Sequence, residues 1–279
     1  MPRVGGDLRR YLRIESMPHV WCPGCGHGQV AHGLAAALDR LAIPLDRLVL
    51  VGGIGCSGRT PFYFNANAMH TTNGRALAFA TGIKLTRPEL TVVTTMGDGD
   101  TAAIGGNHFI HACRRNIDIT AIVYNNGIYG MTGGQHAPTT PLGARSATTP
   151  LGSLEPPFDI VQLALAAGAS FVARTTTFDF EELPTLIVDA IRHPGFAVVE
   201  VLTQCPTYYG RLNQLGDAVA MLDYERDMTL PQEEFTKEKL AGRMPLGVFR
   251  RDVRPEYTAQ YTALCARQKA GTATAEAVP

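Results

Sequence analysis

The sequence is short of charge. Lys and Arg number 25, Asp and Glu number 25, and together they make up 18% of the 279 residues, where roughly 25% is usual for soluble domains. The zero net balance removes the electrostatic footprint of a dedicated nucleic-acid binder. Interface cores are depleted of charge, so a surface this poor in it is expected to be covered in part by other chains. No apolar stretch reaches about 18 residues without a charge, and no membrane span is expected. The opening segment, MPRVGGDLRRYLRIESMPHVWC, has basic residues but lacks the apolar core of a secretory leader, so a cytoplasmic location is expected. No internal repeat is present, which excludes a solenoid or propeller.

Glycine is plentiful, with 29 residues, and there are six cysteines. In a reducing compartment cysteines serve as metal ligands or inert thiols more often than as disulfides.

Apolar periodicity predicts helices over residues 28–41, 74–85, 105–115, 158–167 and 180–192, and strands over 47–54, 90–96, 117–124, 170–174 and 197–202. Regular alternation of strand and helix implies an α/β fold: a largely parallel sheet with helices on both faces. Residues 1–20 read as an irregular, exposed lead-in, and 130–156 as a long loop rich in glycine, proline and threonine. Loops of that length are usually functional or disordered. The pattern fades after Leu215, which divides the chain into a main domain over 1–222 and an irregular extension over 223–279 that contacts other subunits, with a disordered tail from 268.

Two motifs follow strands directly. Met96-Gly97-Asp98-Gly99-Asp100 ends one, and Asn125-Asn126-Gly127 ends the next. In an open parallel sheet, ligands bind beyond the carboxyl ends of the strands, so both motifs address one crevice. Gly97 and Gly99 permit close backbone approach to an anion at a helix N-terminus. Asp98, Asn126 and a carbonyl of the turn Asn126-Gly127-Ile128 are oxygen donors suited to Mg²⁺ with a phosphate ligand. Each motif alone is an ordinary turn; the pair, separated by one strand–helix–strand unit, points to a metal–diphosphate site.

The cysteines add to it. Cys22 and Cys25 form a C-x₂-C pair in Trp21-Cys22-Pro23-Gly24-Cys25-Gly26, Cys56 follows the first strand and Cys205 the last. Four thiolates accept either a [4Fe–4S] cluster or Zn²⁺. Cys113, within a helix, and Cys265, near the end of the chain, read as ordinary thiols.

As a set, WCPGCG (21–26), GIGCSGR (53–59), HTTNGRALAFATGIK (70–84), GDGD (97–100), NNGIYGMTGGQ (125–135) and TQCPT (203–207) resemble the β subunits of 2-oxoacid:ferredoxin oxidoreductases over about residues 15–215. The resemblance implies the thiamine-diphosphate-binding fold and oxidative decarboxylation of a 2-oxoacid, with coenzyme A and ferredoxin as co-substrates. It implies a [4Fe–4S] cluster on Cys22, Cys25, Cys56 and Cys205, and Mg²⁺ on Asp98, Asn126 and the carbonyl of Ile128. Thiamine diphosphate would be lined by Ile54, Gly55, Cys56, Ser57, Asn73, Gly99, Asp100, Gly130 and Met131. Arg59 stands where many members carry lysine and would face the substrate carboxylate or coenzyme A, which a guanidinium can clamp with two parallel hydrogen bonds. Asn73 and Gly133 replace a histidine and a lysine common in the family. The glycine-containing loop, the threonine-rich stretch 139–150 and QCPTYYG most resemble the 2-oxoglutarate branch; pyruvate and branched oxoacids are the alternatives. The cofactor's activating glutamate belongs to a pyrimidine-binding domain that this chain has no room for. An α subunit is therefore implied, with small γ or δ subunits as further partners. Two other readings remain: a non-oxidative thiamine enzyme subunit with a zinc site, and a metal-binding scaffold.

Overall fold

The computed structural model describes residues 8–234 and 242–275. Seven helices and ten strands are found among them: α1 (His27–Leu41), β1 (Leu48–Gly52), β2 (Asn67–His70), α2 (Ala76–Thr86), β3 (Thr91–Gly97), α3 (Gly106–Arg115), β4 (Thr120–Asn125), β5 (Ile128–Tyr129), β6 (Gln135–His136), α4 (Ile160–Ala167), β7 (Phe171–Thr176), α5 (Leu183–Arg192), β8 (Ala197–Leu202), α6 (Ala218–Asp227), β9 (Thr229–Pro231), β10 (Met244–Arg251) and α7 (Tyr257–Ala275). Eight strands form one sheet in the order β2-β1-β3-β4-β8-β7-β10-β9, while β5 and β6 form a small hairpin. Every pairing in the large sheet is parallel except that of β10 with β7.

The central strands β1, β3, β4, β7 and β8 are buried on both faces, and their side chains divide by the period of two that a strand imposes. Leu48 and Leu50 of β1, Ile122 and Tyr124 of β4, and Val199 and Val201 of β8 enter one core with Leu34 and Leu38 of α1 and Ile187 of α5. Val49 and Val51, Ala121 and Val123, and Val198 enter the other, with Leu77 of α2, Phe109 of α3 and Ile160 of α4. The sheet is thus the middle layer of a three-layer sandwich, with helices on both faces. Helix α1 presses closely on α5: a methyl at Gly33 would lie 2.7 Å from Leu183 Cδ2.

The structure differs from the sequence reading in three places. Tyr11, in the expected exposed lead-in, is buried and donates its hydroxyl to the carbonyl of Ile43. The edge strand β2 is wholly exposed, so no apolar pattern marks it. The extension beyond 222 is not irregular. The expected boundary falls inside α6, β10 joins the main sheet antiparallel to β7, and α7 is helical to Ala275. A proline, a glycine and a paired arginine hide β10 (MPLGVFRR), an only half-buried strand whose register shifts between Val248 and Arg250. The part of the expected disordered tail at 276–279 lies outside the described residues.

Two buried charges lie within the sheet. Arg174 of β7 donates Nε to Glu200 of β8 at 2.7 Å, each side chain 1% exposed, and a second nitrogen reaches Asp159 at the cap of α4. Burial of such a pair is tolerable because each charge meets an opposite one.

Candidate active site

Three strand ends supply the rim. After β1 come Ile54, Gly55, Cys56 and Ser57; after β3 come Asp98, Gly99 and Asp100; after β4 come Asn126 and Ile128. These residues line one cavity together with Asn73, Gly130 and Met131. Every residue expected to hold Mg²⁺ or thiamine diphosphate is therefore brought to a single place.

Asp98 is 3% exposed, and burial pushes its carboxyl up to about 6. The Thr139 hydroxyl donates to its Oδ2. A buried carboxylate is costly unless it is paired or coordinates a metal, so this group fits a cation. Asn126 Oδ1 accepts the N–H of Ile128 at 3.2 Å, which folds the turn back and sets the Ile128 strand at the cavity wall. Gly127 takes φ +67° at the bend, and Thr140 donates to its carbonyl at 2.6 Å. The threonine-rich loop is thus an ordered prop for both motifs.

Asp100 Oδ1 accepts the N–H of Gly74 at 2.6 Å, and a methyl at Gly53 would lie 1.7 Å from Oδ2. Burial raises this carboxyl too, to about 6. The chain from Gly99 to Ile104 is a wide π-helical turn ahead of α3, and a second such turn, Pro206–Gly210, follows Cys205. Turns of this kind are frequent at functional sites. Tyr129 lies over Gly99, where a methyl would fall 2.3 Å from its ring.

Cys56 and Cys205 approach the same rim. A methyl at Gly130, a cavity residue, would lie 3.6 Å from Cys205 Sγ and 3.8 Å from Cys56 Sγ. Trp21 donates its indole N–H to the carbonyl of Cys56 at 2.7 Å, and Gly26 donates to the carbonyl of Gln204 at 3.2 Å, so the Cys22–Cys25 turn is stitched to both strand-end cysteines. Gly24 takes φ +75° in that turn, with no room for a side chain beside Ala218. Burial pushes the Cys25 thiol up to about 12 and that of Cys56 to about 11, and neighbouring cysteines push both the same way. Cys205 is raised likewise. All four thiols are free, and among the described residues no three Cys, His, Asp or Glu side chains gather as a single metal ion requires.

Arg59 is half-buried beside this rim but outside the cavity lining, with its guanidinium 5.3 Å from the Phe62 ring. His70 is exposed on β2 and does not line the cavity. Cys113 is fully buried in an apolar core, as expected of an ordinary thiol. His27, Tyr124, Tyr129 and Thr132 also line the cavity and were not singled out from the sequence. For His27 the signal was its place directly after CPGCG.

Comparison with known proteins adds to this geometry. The family described as thiamine pyrophosphate enzyme, C-terminal TPP binding domain, matches residues 53–201. The chain is 50% identical to 2-oxoglutarate synthase subunit KorB of Archaeoglobus fulgidus, over 88% of this chain and 90% of that protein. It is 45% identical to the subunit of the same name from Methanocaldococcus jannaschii, over 93% and 97%. A solved 2-oxoglutarate:ferredoxin oxidoreductase from Magnetococcus marinus, with 2-oxoglutarate, coenzyme A and succinyl-CoA bound, superposes with a TM-score of 0.86 at 32% identity, over 99% of this chain and 97% of that one. Among the described residues no helix is long and apolar enough to cross a membrane.

Proposed function

Because the chain belongs to the family of 2-oxoacid:ferredoxin oxidoreductase β subunits, within the thiamine pyrophosphate enzymes, we propose that it serves a cytoplasmic hetero-oligomer oxidising 2-oxoglutarate. In that reaction 2-oxoglutarate, coenzyme A and two oxidised ferredoxins give succinyl-CoA, CO₂, a proton and two reduced ferredoxins.

The observation that carries this reading is the meeting of two sites at Gly130. That residue lines the cavity shared by Asp98 and Asn126 and touches the space beside Cys56 and Cys205. In this reading Asp98, Asn126 and the Ile128 carbonyl hold Mg²⁺. The backbone at Ile54, Gly55, Cys56, Ser57 and Gly99, with Asn73, Asp100, Gly130 and Met131, holds thiamine diphosphate. Cys22, Cys25, Cys56 and Cys205 hold a [4Fe–4S] cluster, and Arg59 faces a substrate carboxylate or coenzyme A from the rim. When bound, the thiamine ring acts as the electron sink for decarboxylation and the cluster accepts the electrons.

The chain's own residues bind and orient; no side chain here needs to act as a general base. The activating glutamate comes from an α subunit, and small γ or δ subunits can extend the electron path towards ferredoxin. The test is anaerobic co-purification with the native partners. The reading expects thiamine diphosphate and Mg²⁺ in the complex and ferredoxin reduction that depends on 2-oxoglutarate and coenzyme A. A complex that retains no thiamine diphosphate, or reduces ferredoxin only with another oxoacid, contradicts it.

A further inference from the structure

We infer that His27 sets the reduction potential of the sulfur centre by donating a hydrogen bond from Nδ1 to Cys25 Sγ. The inference rests on the reading of the four cysteines as cluster ligands.

His27 is the first residue of α1 and is 1% exposed. Its Nδ1 lies 3.2 Å from Cys25 Sγ and 3.4 Å from Thr203 Oγ1. The ring has little freedom. It lies against Tyr124 with centroids 4.9 Å apart and against Trp21 at 6.1 Å. Tyr124 is itself fixed by a 3.0 Å hydrogen bond between its hydroxyl and that of Thr60.

The direction of the bond follows from the chemistry of the ligand. A cysteine bound to iron is a thiolate and has no proton to give. The contact therefore persists only if Nδ1 carries the hydrogen, which leaves Nε2 without one in a neutral imidazole. Reduction adds negative charge to a cluster, and part of that charge resides on its sulfurs. A buried N–H aimed at one sulfur stabilises the reduced form more than the oxidised form and raises the potential. His27 also lines the cavity shared with Asp98 and Gly130, so it stands between the two halves of the site. It is a positioning residue that acts through Cys25.

The test is a reductive titration of the purified complex, following by electron paramagnetic resonance the signal that Cys205→Ser abolishes. His27→Phe, at full iron content, should lower the reduced-to-oxidised ratio at a given potential about tenfold, a shift of about 59 mV for one electron. His27→Asn, which keeps an N–H near the place of Nδ1, should restore most of it. An unshifted potential in an iron-replete His27→Phe overturns the inference alone. A wild-type complex without iron overturns the cluster reading and this inference with it. If His27→Phe loses its iron, the wild-type complex decides. With ¹⁵N-labelled histidine its reduced cluster should show a nitrogen coupling in pulsed spectra, and the lack of one overturns the inference.

Discussion

Trp21 and Cys56, 35 positions apart in the chain, are joined by a single indole-to-carbonyl hydrogen bond of 2.7 Å. The bond fixes the C-x₂-C turn over the end of β1, and the indole is held in turn by the Tyr63 ring, with centroids 4.9 Å apart. Trp21→Phe keeps most of the apolar contact and removes the donor. It should cost about 1 kcal/mol of stability and lower the iron retained per complex, read by thermal unfolding and iron assay. Unchanged iron would show that the turn is held without this bond.

The cysteines divide into two classes. Cys205 faces the rim beside Gly130, whereas Cys113 is enclosed in an apolar core on α3. Cys205→Ser should bleach the protein or strip its iron, and Cys113→Ser should leave the iron content as it is. Equal iron in the two variants contradicts the ligand assignment.

Glu225 gives the fold a pH dependence. Its carboxyl on α6 accepts from the Thr177 hydroxyl at 2.8 Å and the Phe178 N–H at 3.1 Å, yet burial pushes it up to about 8. The folded state holds this proton more tightly than the unfolded chain does. The resulting stability is complete below about pH 4.5 and is lost as pH rises through 8, a loss of the order of a few kcal/mol. Glu225→Gln, with no proton to lose, should flatten the fall in unfolding temperature between pH 5 and 9. A wild-type profile that rises over that range contradicts the assignment.

The parts of the fold legible in the sequence were those with strong local pattern. Strands β1, β3 and β4, which carry the site, are mostly apolar runs ending in glycine or asparagine, and the motifs after β3 and β4 could be placed at one rim from the sequence. Four features were not legible, each for a physical reason. Strand β2 buries nothing, and β10 is only half-buried and carries two adjacent arginines. The Arg174–Glu200 pair looks like surface charge until the two strands are seen side by side. The role of Thr139 was hidden as well, because a hydroxyl 41 positions from Asp98 leaves no trace of its partner in sequence.

If a thiamine site and a sulfur centre share one cavity rim, electrons released at the first reach the second directly. The most direct measurement is the absorbance of the anaerobic complex near ~400 nm, where iron–sulfur centres absorb, before and after adding 2-oxoglutarate and coenzyme A without ferredoxin. The complex should be brown and bleach on addition, and an Asp98→Ala complex should be equally brown but not bleach. A complex that turns over 2-oxoglutarate while colourless, or one whose colour is indifferent to substrate, would contradict that transfer.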